Sequence, residues 1–370
     1  MNSKTYFAPG RVNLIGEHID YHGGLVMPIA VSMGITAHCT PRADSVIHLS
    51  SATHPFSAGL SLYNIPLQYT PANDWCNYPF GVIHHLKKTG ITLQGADIHF
   101  ESTLPEGSGL SSSAAIEVLT AYILIHQAGG EIDIPEIAKL CQQVENQYIG
   151  VQCGIMDQWA VANSKKDNAL MLNCDTLTHE YIPFELDDYR LVVFNSKKPR
   201  SLIASAYNER KAESEEALRL LRQADKLQEG QKLVQATMED LDSIKDLLIK
   251  RRARHIITEQ LRVSHAATAL RMGDLHTFGR LMNASHRSMK EDYEVTGIEM
   301  DTLAETAQHI DGCLGARMTG GGFGGCAIAL VQDKHLNTFK EIITKRYYAV
   351  TGLHCDSYSC GAEDGVRMIQ

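Results

Sequence analysis

The residues able to do chemistry fall in a few short stretches of the chain. The densest runs from Pro105 to Ala115 and reads Pro-Glu-Gly-Ser-Gly-Leu-Ser-Ser-Ser-Ala-Ala. Gly107 and Gly109 can adopt positive φ and let the backbone approach a ligand closely. Ser111, Ser112 and Ser113 stand where a helix begins, because Ile116, Leu119, Thr120, Ile123 and Leu124 follow at helical spacing before Gly129-Gly130 ends the run. A helix N-terminus offers free N–H groups and the positive end of its dipole, so the stretch suits an anion such as a phosphate. It has neither the lysine of a P-loop nor the third glycine of a dinucleotide fingerprint. An ordinary turn with serine caps has the same outline, and this stretch alone does not separate the two.

A second stretch, from Tyr6 to Pro28, gathers Arg11, Glu17, His18 and Asp20 among small and apolar residues. Loops that carry so many hydrogen-bonding groups usually serve a site. His18 and His22 are four apart beside Glu17, a zinc-like spacing. Gly16, Gly23 and Gly24 break the helix such a site needs and no third ligand is evident, so zinc is set aside. Asp157 stands between Ile155-Met156 and Trp159, and a carboxylate in apolar company must be paired, coordinated or functional. Its structural alternative is to cap a helix starting at Gln158. Glu145 borders the apolar stripe Ile137, Leu140, Cys141, Val144 and Tyr148 of a helix running from Pro135 to Tyr148, which turns it toward a cleft. Trp75 and Tyr78 are placed to stack on a planar ring, although aromatics at this spacing equally suit a core. Gly315 to Cys326 contains Gly320, Gly322 and Gly325 in the dinucleotide spacing, but they feed the apolar strand Ala327–Val331 rather than a helix. Such a loop implies backbone pressed against a ligand or another loop.

The elements that must hold these stretches follow from periodicity. Strands are expected at Val26–Thr40, Ser45–Ser50, Ala96–Glu101, Ala169–Asn173, Glu180–Pro183 and Arg190–Asn195. Helices are expected at Pro79–Lys88, then at Leu202–Leu221, Leu233–Lys250, Ile257–Met272, Leu275–Ser285 and Asp301–Ile310. Strand, glycine loop and helix in that order, from Ala96 onward, is the order an anion cradle wants. The run Arg251-Arg252-Ala-Arg254-His255 is expected to serve a surface or interdomain role. With 44% hydrophobic and 21% charged residues the chain is globular, and at 370 residues two domains are expected. A net charge of 34 − 43 = −9 argues against nucleic-acid or anionic-membrane partners. Nine cysteines without a Cys-x-x-Cys pair read as reduced thiols of a cytoplasmic protein, and no signal segment or membrane-length apolar run is seen.

Gly-Arg-Val-Asn-Leu-Ile-Gly-Glu-His-Ile-Asp-Tyr, the serine-glycine loop, and Met-Thr-Gly-Gly-Gly-Phe-Gly-Gly-Cys resemble motifs one, two and three of the GHMP small-molecule kinases, in the same order. The first motif, Cys153–Gln158, Ser205–Arg210 and Arg251–His255 are similar to the galactokinase branch of that family. His22 departs from the asparagine common there, and Val295–Asp301 departs from the usual Val-Ser-Cys-Pro-Glu-Leu-Asp. The resemblance implies an α+β fold, with an N-terminal mixed α/β domain over 1–185, a C-terminal ferredoxin-like α+β domain over 186–370, and the active site between them. It implies ATP and Mg²⁺ as cofactors, D-galactose as substrate, and phosphorylation of the sugar's C1 hydroxyl by a monomer. Carried over residue by residue, Asp157 is the base with Arg11 beside it, and Glu17, His18, Asp20, Gly154 and Tyr207 hold the sugar. Pro105, Gly107, Ser108, Gly109, Leu110, Ser111, Ser112, Ser113 and Ala114 surround the ATP phosphates. Trp75 and Tyr78 flank the adenine, and Ser113 and Glu145 hold the metal. The rival readings are a non-catalytic sugar sensor, disfavoured by the intact Ser113-Ala114-Ala115, and a kinase for N-acetylgalactosamine or mevalonate. The acceptors of Glu17, His18 and Asp20 suit a polyhydroxylated sugar, where mevalonate would want a cation.

Overall fold

The computed structural model describes residues 3–198 and 203–370, with the side chains of residues 203 and 204 left aside. Alternation of apolar and polar residues makes the N-terminal part a sheet. β1 (Lys4–Asn13) pairs antiparallel with β3 (Pro28–Pro41), the short β2 (Leu25–Val26) lying between them in sequence. β4 (Val46–Ser51), β5 (Ala58–Ser61) and β6 (Ala96–Ser102) complete the same sheet, β4 running parallel to β6. Its order is β13-β1-β3-β6-β4-β5, where β13 (Arg367–Met368) is the last strand of the chain. The C-terminal residues thus cross back over the 185/186 division to pair with the first strand, and the bridge between Ala30 and Glu363 reinforces that return.

Behind this sheet lie α1 (Asn77–Lys88), α2 (Ser112–Gln127), α3 (Ile134–Gln143) and α4 (Met156–Asn163), with α2 against β1 and β3. α2 is buried on nearly all sides, so its sequence is apolar throughout instead of striped. β7 (Asn168–Asn173) and β8 (Thr178–Pro183) form a small sheet with β2. Then β9 (Tyr189–Asn195) opens a four-stranded antiparallel sheet of order β10-β11-β9-β12. The segment between its first two strands is helical, with α5 (Ile203–Gln223), α6 (Leu247–Arg271), α7 (Leu275–Ser288) and α8 (Gly297–Gln308). β10 (Cys313–Thr319), β11 (Cys326–Gln332), α9 (Leu336–Thr351) and β12 (Asp356–Cys360) finish this α+β layer, α7 and α8 packing on β10.

Several boundaries differ from the periodicity. The expected helix over 233–250 is two 3-10 turns, Leu233–Gln235 and Asp240–Ser243, and α6 starts only at Leu247. Asp246 is the reason: its Oδ1 accepts from the N–H groups of Leu248 at 2.8 Å and Ile249 at 3.2 Å, which fixes the helix start. With no Gly or Pro before Gly273, α6 runs unbroken through the separately expected 257–272 segment. The helix ending at Tyr148 changes to π-helix over Val144–Ile149, the strand from Val26 breaks before Pro28, and α8 begins four residues before Asp301. α9 has no counterpart in the expectations. Leu202, the expected start of the α5 pattern, lies outside the described residues. Arg252 in the basic run is an inter-element clasp. Only 1% exposed, it bonds Glu213 at 2.6 Å, the Asp292 carbonyl at 2.6 Å and Glu294 at 2.7 Å. Among the described residues no helix is long and apolar enough to cross a membrane.

Candidate active site

β1 delivers Arg11 into the interior from its buried C-terminal half, and α4 delivers Asp157 from its first turn. The helix starts at Met156 with Ile155 as its cap residue, so Asp157 does not cap a helix beginning at Gln158. Arg11 forks onto the carboxylate, Nε to Oδ1 at 2.8 Å and a terminal nitrogen to Oδ2 at 2.6 Å. Its remaining nitrogen donates to the Gly109 carbonyl at 2.8 Å, which ties the pair to the glycine loop. Ser111 was expected around phosphates. Its hydroxyl donates to Asp157 Oδ2 at 2.6 Å, and the residue itself is held at φ 62°, a left-handed conformation unusual for a non-glycine. A carboxylate has about four acceptor positions, and three of these are filled. One remains open.

Asp157 opens into a cleft of about 520 Å³ whose walls include Arg11, Glu17, His18, Asp20, Gly154, Tyr207, Asn208, Gly320 and Gly321. The structure therefore brings together every residue expected at the sugar. Asp20 sits over Gly154 so closely that a Cβ there would lie 1.8 Å from its Oδ2, which is why that position must be glycine. Burial, and then the charge of Asp157, push the Asp20 carboxyl up to about 6. Glu17 is only 2% exposed and is largely spent on the C-terminal layer: it pairs with Arg317 of β10 and accepts from the Gly320 N–H at 3.0 Å. His18 donates through Nε2 to the Gly321 carbonyl at 3.2 Å, and its Nδ1 faces the Tyr21 hydroxyl at 3.1 Å. Burial holds this imidazole neutral, its pKa lowered to about 3. Its ring lies 5.3 Å from that of Tyr207 and 4.9 Å from that of Tyr293. Tyr293 and Glu145 both sit in π-helical segments, a distortion that often marks function.

A second pocket of about 130 Å³ adjoins the loop on its other side, lined by Ser51, His54, Trp75, Tyr78, Phe100, Ser112, Ser113 and Ile116 among others. Trp75 is anchored through Nε1 to the Phe56 carbonyl at 3.0 Å and edge-on to Phe100, while Tyr78 is partly exposed. Within the loop Ser108, Leu110 and Ala114 turn inward and are buried, whereas Gly107 and Ser112 are exposed. Glu145 is 6% exposed; burial raises its pKa, the facing Ser113 hydroxyl lowers it, and Asp157 raises it again. Beside it Glu117 is fully buried; neither carboxyl oxygen makes a hydrogen bond of ordinary length among the described residues, burial and then Glu145 raise its pKa, and the nearby Gln158 side chain lowers it. The Ser113 hydroxyl and the buried carboxyls of Glu145 and Glu117 form an oxygen set that fits a hard divalent cation. The group His286, Asp301 and Glu305 also approaches metal-ligand spacing, but away from the cleft. Lys290 reaches Asp301 at 3.4 Å and Glu305 at 2.5 Å, and the Met318 N–H donates to His286 Nδ1 at 3.3 Å, leaving the proton on Nε2. That cluster is an ion-pair network.

Arg317, Asn208 and Tyr293 carry little signal in the sequence. Asn208 lies inside the Ser205–Arg210 stretch and Arg317 inside Gly315–Cys326, where neither carries an expected role, and Tyr293 is placed by the packing of its π-helical segment. Known families match this arrangement in chain order. The galactokinase galactose-binding signature covers residues 2–41, the GHMP kinase N-terminal domain 77–165 and the GHMP kinase C-terminal domain 266–349. Fold and site define a GHMP kinase, a class that uses ATP. A galactokinase of Halalkalibacterium halodurans is 45% identical over 98% of this chain and 92% of its own length. One of Enterococcus faecalis is 44% identical over 98% of this chain and 95% of its own length. The solved Lactococcus lactis galactokinase complexed with galactose superposes with a TM-score of 0.95 at 40% identity, over 100% of this chain and 95% of that one. A mevalonate kinase superposes at 0.70 with 20% identity over 100% of each chain, which shows a shared fold. The chain belongs to the galactokinase family.

Proposed function

We propose that the cleft transfers the γ-phosphoryl group of ATP to the C1 hydroxyl of D-galactose, giving α-D-galactose 1-phosphate. The observation that carries this reading is the Asp157 carboxylate, held from three directions by Arg11 and Ser111 and open on one side to a polar cleft. Oriented this way, Asp157 accepts the proton of the sugar O1 as that oxygen attacks phosphorus. Arg11 orients the carboxylate and offsets charge on the moving phosphoryl group. Because Arg11 also holds the Gly109 carbonyl, base and phosphate loop keep a fixed relation.

In this reading Asp20, His18, Tyr207 and the Gly154 backbone hold the sugar hydroxyls, and Glu17 chiefly fixes motif one on motif three. The backbone N–H groups around Gly107, Ser112 and Ser113 receive the phosphates, with Tyr78 and Trp75 beside the base. Ser113 and Glu145 would hold Mg²⁺, which when bound offsets phosphate charge. The relatives' names and the galactose in the Lactococcus lactis structure support the sugar. The test is coupled ADP release across about ten sugars. Galactose and glucose differ only in the C4 hydroxyl, and a missed buried hydrogen bond costs about 1–3 kcal/mol, so two give a preference of about a hundredfold. Comparable kcat/KM for the two sugars refutes the reading.

A further inference from the structure

Motif one contains a single 3-10 turn, Asp20–His22, and only Asp20 of it faces the cleft. The other two residues lie along one face of α5. Tyr207, Lys211 and Ser214 are spaced by four and then three, so they share that face. The Tyr21 ring meets that of Tyr207 edge-on at 6.0 Å, and the Lys211 ammonium lies 5.8 Å from the Tyr21 ring centre. His22, one residue on, meets Ser214 at 2.7 Å through Nε2. Both side chains are buried, at 2% and 0% exposure. The Ser214 hydroxyl also reaches the Lys211 carbonyl at 2.8 Å, and with its proton there its oxygen accepts from an imidazole N–H. Burial, with Lys211 and Lys232 nearby, holds His22 neutral and suits that single-donor role.

We infer that His22 is a positioning residue: its bond to Ser214 pins α5 against the motif-one turn and thereby sets the distance between Asp20 and Tyr207 across the sugar. A helix is stiff over two turns, so a pin at Ser214 fixes the register of the ring seven residues earlier. Beside the Tyr21 ring contacts, a further hydroxyl route joins turn and helix: Tyr21 and Tyr293 share a hydroxyl bond of 2.7 Å, and Tyr293 meets the Arg210 carbonyl at 3.3 Å and the Ser214 side chain. His22 does not line the cleft, so its effect reaches the sugar through the turn and α5 that it joins.

The inference rests on the sugar-kinase reading for its functional half, and the experiment separates the two. Ser214→Ala and His22→Ala are compared with His22→Gln, which keeps an N–H donor at similar reach. Expected are a five- to tenfold rise in galactose KM and Kd for both alanine variants, the loss of about one buried hydrogen bond. The kcat and the ATP KM stay within about twofold, His22→Gln recovers most of the loss, and the double alanine variant is no worse than either single one. Amide exchange over residues 205–211 is expected to accelerate in the alanine variants without sugar present. Unchanged exchange there overturns the pin, as does a rise in ATP KM equal to that of galactose, or a His22→Gln variant as weak as His22→Ala. A wild-type protein that fails to bind galactose counts against the sugar reading, while the exchange measurement still decides the pin.

Discussion

On the sugar side of the cleft, Arg11 and Asp157 are bonded to each other and Glu17 is bonded to Arg317 and the Gly320 N–H. On the nucleotide side, Ser112 and Gly107 are exposed and Glu117 makes no hydrogen bond of ordinary length among the described residues. The difference follows the chemistry each side must do. Charges aligned in advance cost no reorganisation at the moment of reaction, which is where electrostatic catalysis gains most. A nucleotide must enter and leave each turnover, and backbone N–H groups at a helix start receive its phosphates without a closed cage.

Breaking the prepared side has the largest effect. Asp157→Asn is expected to lower kcat by about two to four orders of magnitude, the range of acid–base catalysis, with ATP binding by calorimetry retained. Ser111→Ala removes one neutral donor from the same carboxylate and is expected to cost about tenfold in kcat. Near-normal turnover of a folded Asp157→Asn protein, checked by thermal melting, would sink the base assignment. Next in size is Gly154→Ala. A Cβ at 1.8 Å from Asp20 Oδ2 cannot be accommodated without moving that carboxylate, so galactose KM is expected to rise at least about tenfold while ATP KM holds. Equal damage to both constants would mean that the loop, and not the sugar contact, was disturbed.

The same contrast decides what could be read from sequence. Arg11, Glu17, Asp20 and Asp157 stand out because charged types in apolar company need a reason, and the glycine loop stands out by composition. Their partners do not. Nothing in the spacing turns Ser111 toward Asp157 while Ser112 and Ser113 face the other pocket; a left-handed residue in the loop does that. Nothing local pairs Glu17 with Arg317, 300 positions away. In the N-terminal layer β3, β4, β6, α1 and α2 were legible from alternation or apolar spacing, whereas β1 was not, because the charged and glycine residues crowded into Tyr6–Pro28 read as a loop. The 233–250 segment misled because apolar residues at near-helical spacing also suit consecutive 3-10 turns, and a capping Asp246 outweighs weak propensity.

On the open side, Glu145→Gln is expected to raise the Mg²⁺ needed for half-maximal activity about tenfold, with little change in galactose KM. The same shift should appear when Mg²⁺ dependence is read from nucleotide binding without sugar. An unchanged titration would leave Glu145 as a buried helix residue.

The smallest effect is one of pH, and it tests whether the sugar side is as prepared as it looks. Burial and then Asp157 raise the Asp20 carboxyl from 3.8 to about 6, so protonation in the free protein competes with its use as an acceptor. Galactose KM is expected to be flat above pH 6 and to climb below it, approaching about tenfold per unit if the protonated form does not bind. Hydroxyls donating to the carboxylate favour its charged form, so sugar binding lowers this pKa. The inflection should therefore show in kcat/KM and vanish from kcat. Stability has the opposite sign from a salt-bridged carboxylate. A raised folded pKa costs nothing below pH 4, where both states are protonated, and its cost grows to a plateau at pH 6. Asp20→Asn should therefore gain in Tm over wild type between pH 4 and pH 6, with a KM that no longer responds to pH. A wild-type KM flat down to pH 5 would mean that Asp20 is ionised throughout, paired more firmly than its burial allows.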